Sequence, residues 1–397
     1  MTTAFGVEVA RLRAVSGLSL RRLAELTHYH SSGLSRIEKG EQTVPIDLAQ
    51  RLDAVLNADG ALIELAGAVL VTRSASAGST AFAEWALGEP AGRLSLQWIA
   101  NELSTIAEAF VHDSPGPLLA DLAQVRDRIS AALRDRPSPA HGRDLLVLAG
   151  ITIELMAQIT ENLGDPMSAR EHVAAAEALA RRCDHRGLLA WTLGTRALIH
   201  EWHGKPARAI DDAHEALEVA PPGDSRIRLW ALIARCAARV GDTHRSRTAA
   251  QQAIATLEST PSTTVDDVLA IGGSLTFPTP KLFYYLGGAS LQRGDHAECE
   301  RWSAEAIAAY SCGPSRHRSY GDEALARSNL AMSRLVSGEI DAAREVVAPV
   351  FELPADRRIS PVAEGLRGVA AVAIRTGSRA AVLADEIDDF LRRGLTQ

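Results

Sequence analysis

A glycine followed by a polar residue recurs between residues 164 and 378, each time where one amphipathic helix is expected to end and the next to begin. The successive intervals are 37 to 53 residues. The dipeptides are Gly164-Asp165, Gly204-Lys205, Gly241-Asp242, Gly294-Asp295, Gly338-Glu339 and Gly377-Ser378. Glycine can end a helix in the left-handed conformation without strain. Self-similarity at this period predicts an array of stacked helical pairs that bury one another's apolar faces.

Small residues at fixed distances from each glycine support the same division into helical pairs. Five residues after the glycine, the second helix must pack closely on the first. This position is occupied by Ala169, Ala209, Ser246, Cys299, Ala343 and Val382. Twelve residues after the glycine, four units carry alanine, namely Ala176, Ala216, Ala253 and Ala306. These positions are therefore predicted to lie buried between paired helices.

Two segments of the array resemble a known repeat. GKPARAIDDAHEALEVAP (204–221) resembles the second helix of a tetratricopeptide repeat, and FYYLGGASLQRGD (283–295) resembles the matching first helix. We expect six pairs over about residues 144–394, after a leading pair at Ser95–His112 and Pro117–Leu133. The resemblance implies a right-handed tetratricopeptide-like α-solenoid. The first helices of such a solenoid line a concave surface that binds peptides or partner helices.

Composition indicates an all-α, multidomain protein. The chain has 397 residues, of which 46% are hydrophobic, 23% charged and only 5% aromatic. No apolar run approaches the roughly 20 residues that span a bilayer, and MTTAFGVEVARLR at the start has no signal-peptide core. The cysteines Cys183, Cys236, Cys299 and Cys312 are far apart and are interpreted as buried thiols. We therefore expect a cytoplasmic protein without membrane contact.

The first 70 residues are predicted to form five short helices, followed by a linker at 71–92 and the repeat domain at 93–397. In the third helix, about Ser31–Lys39, Leu34 and Ile37 must face the core. This leaves Ser31, Ser32, Ser35, Arg36 and Lys39 on the opposite face. Residues near the start of a recognition helix reach base edges in the major groove, so this face is a candidate DNA-reading surface.

The segment GLSLRRLAELTHYHSSGLSRIEKGEQTVP (17–45) resembles the Cro/repressor-type helix-turn-helix family, also called the XRE family. The matching residues are Gly17-Leu18-Ser19, Leu23-Ala24-Glu25, Ser35-Arg36-Ile37-Glu38, Gly40 and Pro45. The resemblance covers about residues 5–70 and implies an internal ion pair between Arg13 and Glu38. The departures are Leu20 in place of a frequent Gln, His28 in place of Gly, and His30 in place of a capping Ser, Thr or Asn.

The predicted DNA contacts combine this resemblance with the basic residues around the third helix. They are Arg21, Arg22, Ser31, Ser32, Ser35, Arg36, Lys39 and Thr43. The net charge of the whole chain is −7, so any DNA contact must be local. Residues 1–56 carry only one more basic than acidic residue, which weakens non-specific attraction to phosphates. The alternative is a degenerate domain that makes only dimer or partner contacts.

Projecting the tetratricopeptide face onto the repeats gives a predicted ligand-binding set. It comprises Glu154, Gln158, Trp191, Arg228, Arg235, Arg239, Lys281, Tyr284 and Asn329. The three arginines fall on one helical face, and like charges repel in a partly desolvated concavity. They therefore favour an anionic ligand, unless they are ordinary solvated charges. Asn329 also resembles the groove Asn of peptide-pheromone-sensing regulators, and the long connection Glu258–Pro280 is expected to form a loop or lid near the groove.

No catalytic signature is present, so the sequence predicts neither an enzyme nor a cofactor. His200-Glu201-Trp202-His203 lacks a recognised metal-binding spacing. We expect a bacterial transcriptional regulator that binds double-stranded DNA as a homodimer. Its repeats would bind a peptide or small-molecule signal, or a partner protein. The rival hypothesis is a protein-interaction scaffold in which the repeats recruit a partner and DNA binding is secondary.

Overall fold

The computed structural model describes residues 4–27, 29–39, 44, 46–58, 60–63, 65–66, 93–260, 269–312 and 318–392. Within these ranges every regular element is helical, which confirms the all-α prediction. The chain divides into two compact units, Met1–Ser95 and Leu96–Gln397. No helix in the described part of the chain is long and apolar enough to cross a membrane. The predicted linker at 71–92 lies outside the described residues.

Short helices of the N-terminal unit pack around a small apolar core. They are α1 (Ala4–Val15), α2 (Leu20–Leu26), α3 (Ser31–Glu38) and α4 (Ile46–Leu56), and residues 61–63 and 65–66 are also helical. Leu34 and Ile37 of α3 are buried together with Leu23 of α2, as the apolar spacing predicts. Gly6 allows α1 to approach α3 closely, because a β-carbon there would lie 2.3 Å from the backbone oxygen of Ile37.

Side chains cap the two central helices of this unit. Ser19 Oγ accepts a hydrogen bond from the backbone N–H of Arg22 at 3.1 Å. His30 departs from the expected Ser, Thr or Asn, yet it caps α3, since its Nδ1 accepts from the N–H of Gly33 at 2.6 Å. An imidazole nitrogen thus takes the place of the usual side-chain oxygen. His28 lies outside the described residues.

The second unit consists of consecutive helices joined mostly by short turns. They are α5 (Arg93–Phe110), α6 (Pro115–Arg134), α7 (Pro139–Asn162), α8 (Pro166–Arg182), α9 (Arg186–Trp202), α10 (Pro206–Val219), α11 (Asp224–Arg239), α12 (Thr243–Ser259), α13 (Thr279–Gln292), α14 (His296–Cys312), α15 (Tyr320–Val336), α16 (Ile340–Val347), α17 (Ser360–Thr376) and α18 (Ser378–Arg392). From α7 onward, each odd-numbered helix packs on the even-numbered helix that follows and on the next odd-numbered one. This arrangement confirms the predicted tetratricopeptide-like α-solenoid.

Left-handed glycines form the turns inside five of the predicted pairs. Their φ angles range from 72° to 83° and belong to Gly164, Gly204, Gly241, Gly294 and Gly338. The small residues predicted to follow them are fully buried, namely Ala169, Ala209, Ser246, Cys299 and Ala343. The glycine anchor and the close packing of the paired helices are therefore confirmed for these units.

The last pair departs from this register. Here α18 begins one residue after Gly377, whereas the other second helices begin two residues after their glycine. The earlier start rotates the helix about its axis, so Val382 is 48% exposed and Ala380 is buried instead. The prediction that Val382 lies between the paired helices is wrong.

The connection between α12 and α13 packs into the core along its second half. Residues 269–271 and 273–275 form single 3₁₀ turns, and Leu275 and Phe277 are buried. The Phe277 ring lies edge-on to Tyr285, with ring centroids 5.1 Å apart, and its N–H donates to Asp224 Oδ2 at 2.8 Å. Of the two expected alternatives, residues 269–278 therefore form a packed loop and not a lid that stands free of the core. Residues 261–268 lie outside the described part of the chain.

The cysteines do not all share one environment. Cys183, Cys236 and Cys299 are buried as predicted, but Cys312 is exposed at the end of α14, so the prediction is wrong there. Burial raises the pKa of the Cys299 thiol to about 11 and also raises that of Cys236. These two thiols therefore remain protonated and behave as small apolar core residues.

Candidate functional site

The outer face of α3 carries the polar residues predicted to contact DNA. Those within the described residues are all exposed or half-buried, namely Ser31, Ser32, Ser35, Arg36 and Lys39. Arg21 and Arg22 are exposed on the adjacent α2, where Arg22 pairs with Glu25 at 2.7 Å. Arg36 makes no hydrogen bond or ion pair with any described residue. Thr43 lies outside the described residues.

A half-buried ion pair joins α1 to the end of α3. Arg13 Nε donates to Glu38 Oε1 at 2.6 Å, and its Nη2 donates to Oε2 at 3.0 Å. Its Nη1 also donates to the backbone oxygen of Leu18 at 3.1 Å. The hydrogen bond to Glu38 raises the pKa of Arg13. The ion pair that the family resemblance implies is therefore present, and it holds the orientation of α3.

The first helices of the repeat pairs surround a cavity on the inner side of the array. Two adjacent lobes of about 80 and 380 Å³ share Glu161, Trp202, Tyr284, Leu325 and Pro361. The smaller lobe is lined mainly by aromatic and aliphatic side chains, whereas polar and charged groups are more frequent in the larger one. The predicted concave surface of first helices therefore encloses a defined space.

The two ends of the helical array meet beside this cavity. Helix α17 packs against α7, Ser114 hydrogen-bonds to Asp356, and Arg357 lies 3.9 Å from Asp113. Residues from both ends consequently line the smaller lobe, among them Phe110, Val111, Ile359 and Pro361. No periodic pattern in the sequence indicates this closure, because it joins segments more than 200 residues apart.

Arg228, Arg235 and Arg239, predicted to share one helical face, are called the arginine stripe below. Arg228 is the first of them and is buried in a network of the protein's own groups. Its Nη1 donates to the backbone oxygen of Trp191 at 3.0 Å, and its Nη2 donates to Thr195 Oγ1 at 2.8 Å. The guanidinium carbon lies 4.3 Å from the centroid of the Trp191 ring. The Thr195 hydroxyl in turn donates to Glu154. The Trp191 carbonyl, the Thr195 hydroxyl and the Trp191 ring therefore all contact the Arg228 guanidinium in the absence of a ligand.

Glu154 is the acidic end of that network. The carboxyl group is fully buried, and this desolvation raises its pKa from 4.5 to about 7. The hydrogen bond from Thr195 and the charge of Arg228 partly oppose the shift. Gln158 Nε2 also donates to Glu154 Oε1 at 3.2 Å. The group therefore titrates near neutral pH inside the array.

Arg235 and Arg239 share one buried carboxylate, that of Glu201 on α9. Arg235 Nε donates to Glu201 Oε1 at 3.0 Å, and its Nη2 lies 2.9 Å from Oε2. Arg239 Nε lies 3.4 Å from Oε1. The Arg235 guanidinium also stacks on Tyr285, 4.2 Å from the ring centroid. The premise that these arginines lack an anion is therefore wrong, because the protein supplies it.

The structure divides the predicted ligand-binding set into two groups. Six residues line the cavity, namely Gln158, Arg235, Arg239, Lys281, Tyr284 and Asn329. Glu154, Trp191 and Arg228 are not among the lining residues of either lobe. Trp202 and His203 also line the cavity but do not belong to the predicted set; both lie in the segment His200-Glu201-Trp202-His203, whose spacing does not match a metal site. His203 Nε2 lies 2.9 Å from Glu161 Oε1, on the cavity wall.

Residues 4–66 match the family model of a helix-turn-helix domain. The N-terminal unit is a helix-turn-helix domain. Its two-helix motif is α2 and α3, and the polar face described above is the outer face of the motif's second helix. Domains of this type place that helix in the major groove, which supports a DNA-binding regulator.

Solved structures resemble the chain at low similarity. One is a signal transduction ATPase with numerous domains, with a tetratricopeptide repeat sensor, from Pyrococcus horikoshii (11% identity, 92% of this chain and 55% of that chain, TM-score 0.40). Another is the apo competence regulator ComR from Streptococcus vestibularis (13% identity, 83% of this chain and 97% of that chain, TM-score 0.35). A third is Bacillus thuringiensis PlcR in complex with the peptide PapR7 and DNA (12% identity, 86% of this chain and 98% of that chain, TM-score 0.30). This chain thus spans about half of the Pyrococcus chain. No curated protein sequence matches it significantly.

Glu38→Ala is expected to lower the free energy of unfolding of the helix-turn-helix domain by about 2 kcal/mol, because the half-buried Arg13 loses its partner. Hydrogen exchange of the α1 and α3 amides in the full-length chain measures this loss. Glu25→Ala is the control, since the Arg22–Glu25 pair is exposed and contributes at most about 1 kcal/mol. Equal protection in the two variants would show that the Arg13–Glu38 pair does not hold the domain together.

Proposed function

We propose that the chain is a sequence-specific transcriptional regulator of the Cro/repressor type (XRE family), whose α3 reads double-stranded DNA in the major groove. The observation that carries this proposal is the polar outer face of α3. On that face Arg36 has no partner among the described residues, while Leu34 and Ile37 anchor the opposite side in the core. An unpaired guanidinium beside small hydroxyl residues suits bidentate contact with a guanine edge.

The cavity in the repeat unit supports the proposal that a ligand regulates DNA binding. Its cavity has the size and the mixed apolar and polar lining of ligand sites, so it suits a small molecule or part of a short peptide. A ligand that binds one arrangement of the repeats better than another would shift the population of DNA-binding conformers. We infer a homodimer in the bacterial cytoplasm, because helix-turn-helix regulators bind two half-sites about 34–36 Å apart with two copies of the domain. Neither enzymatic activity nor a cofactor forms part of the proposal.

Arg36→Ala is expected to weaken binding to the cognate DNA by about 1–3 kcal/mol, because a base contact is lost. The helical content and thermal stability should change little, since Arg36 makes no contact within the described fold. A mobility-shift titration of the full-length chain on its selected DNA measures the change.

Arg11→Ala is the matched control for that experiment. It removes the same charge from the same domain, but Arg11 lies on α1 and pairs with Glu8. It should weaken DNA binding much less than Arg36→Ala. Equal affinity of the Arg36→Ala variant and the wild type would show that α3 is not the reading helix.

An exposed apolar edge favours a second candidate function, a scaffold that recruits a partner protein. Leu163, Met167, Val240 and Val336 lie at or next to the turns between paired helices and are 45–63% exposed. Successive turns of a solenoid lie along one edge, so these side chains suit a protein contact or the dimer interface. Co-purification of a stoichiometric partner protein, with no DNA sequence selected, would favour the scaffold over the regulator.

A further inference from the structure

Glu161, in the last turn of α7, is a buried carboxylate with one oxygen unpaired. The residue is 5% exposed and lines both lobes of the cavity. His203 Nε2 lies 2.9 Å from Oε1, but Oε2 has no hydrogen-bond partner among the described residues. Burial raises the pKa of this carboxyl group. A buried acceptor without a donor costs free energy, so a ligand that supplies a donor would be stabilised here.

The other charges around the cavity already have partners. Arg235 and Arg239 share Glu201, and Lys281 Nζ lies 3.6 Å from Asp322 Oδ2. Together the cavity walls and these partners carry four acids (Glu161, Glu201, Asp322 and Glu364) against three bases (Arg235, Arg239 and Lys281). Each base thus has a carboxylate close to it, whereas the hydrogen-bond partner of Glu161 is the His203 imidazole, with the charge of Arg170 nearby. Among the described lining atoms, Glu161 Oε2 therefore still lacks a donor, whereas Asn329 Nδ2 in the larger lobe lacks an acceptor.

Aromatic side chains surround the smaller lobe, into which Glu161 also faces. They are Phe110, Trp202, Tyr284, Tyr285 and Tyr320. Such rings bury apolar groups and attract cations to their faces. This lobe is small, about 80 Å³, and adjoins the larger lobe of about 380 Å³, which lies in the range of sites for small molecules. The lobe therefore suits a compact ligand that is apolar at one end and positively charged at the other.

We propose that the cavity binds a small organic cation, whose ammonium group donates a hydrogen bond to Glu161 Oε2 and whose apolar part packs among the aromatic side chains of the smaller lobe. This inference rests on the proposed function, since it names the chemical class of the signal that the repeats receive. It reverses the polarity expected from the arginine stripe. The reversal follows from Glu201, which supplies the carboxylate that Arg235 and Arg239 share.

The test uses three compounds that differ only in their polar group: phenethylamine, phenethyl alcohol and phenylacetate. Calorimetric titration of each into the full-length chain, without DNA, measures the dissociation constants. We expect the amine to bind at least about tenfold more tightly than the alcohol or the carboxylate, because only the ammonium combines charge with a hydrogen bond to Glu161.

Two variants locate the interaction. Glu161→Gln should remove the tenfold preference for the amine and leave the affinity for the alcohol unchanged, which shows that the cavity is still folded. Glu364→Gln is the control, because Glu364 lines the larger lobe but is exposed, and it should keep the preference.

Three results would overturn the inference: no detectable binding of any probe, phenylacetate binding as tightly as the amine, or a preference that persists in the Glu161→Gln variant. A different result would contradict the proposed regulatory function. If the amine binds as expected but does not change the affinity of the chain for its selected DNA, the cation site stands and its regulatory role does not.

Discussion

Replacing Glu201 with alanine is expected to destabilise the repeat unit by about 3–5 kcal/mol, because two guanidinium groups lose their only buried carboxylate. Glu201 is fully buried, and the Arg235 side chain is 8% exposed. Arg235 cannot easily move to solvent, since it stacks on Tyr285 and its Nη1 donates to Tyr284 Oη at 3.3 Å. Chemical denaturation followed by tryptophan fluorescence reports mainly this unit, because five of the six tryptophans lie in Leu96–Gln397 and the sixth is Trp85.

Two further variants separate the buried charge from ordinary side-chain truncation. Glu215→Ala removes a carboxylate that is 45% exposed and pairs with Arg181 and Arg196, and it should cost at most about 1 kcal/mol. Glu201→Leu combined with Arg235→Met should recover most of the lost stability, because apolar side chains of similar size replace both charges. If Glu201→Ala costs no more than Glu215→Ala, the buried pair does not stabilise the array.

The repeat unit is expected to lose up to about 3 kcal/mol of stability from Glu154 alone as the pH rises from 4.5 to above 7. Below pH 4.5 the carboxyl group is protonated in both the folded and the unfolded chain. Between pH 4.5 and about 7 the unfolded chain ionises, while the folded protein keeps the proton because the site is desolvated. Each step of rising pH in this window therefore favours unfolding. Denaturant titrations at a series of pH values measure the slope.

Glu154→Gln isolates this contribution from that of other titrating groups. The amide keeps a similar shape and can still accept a hydrogen bond from Thr195, but it has no proton to lose. The difference in stability between wild type and variant should therefore change across pH 4.5–7 and become constant above it. A difference that stays constant through this window would show that Glu154 titrates at its ordinary pKa.

The N-terminal domain was predictable because its signals are local. The positions of Ser19, Leu34 and Ile37 follow from helix capping and helical period, which act over a few residues. The same holds for the glycine turns of the repeats, each of which needs one left-handed residue. Where a local signal changed, as with the earlier start of α18, the prediction for Val382 failed with it.

The cavity was only partly predictable, because its chemistry depends on pairings between repeats. The helical period places Arg235 on the inner face, but it does not show that Glu201 from the preceding pair meets it there. Glu161 follows Glu154 and Gln158 at helical spacing on α7, yet its unpaired oxygen depends on how closely the neighbouring helices pack. The closure between Ser114 and Asp356 depends on the accumulated rotation of all the repeats. The sequence therefore indicated which face lines the cavity but not which of its polar groups are paired.

Sequencing the genomic DNA fragments that co-precipitate with the full-length chain tests the central claim most directly. The account predicts that the enriched fragments share one short inverted-repeat motif, with half-sites about one helical turn, 34–36 Å, apart, as two copies of α3 require. Enrichment of that motif should be lost in the Arg36→Ala variant and kept in Arg11→Ala. Fragments without a shared motif, or the same motif recovered equally by both variants, would contradict a regulator that reads DNA through α3.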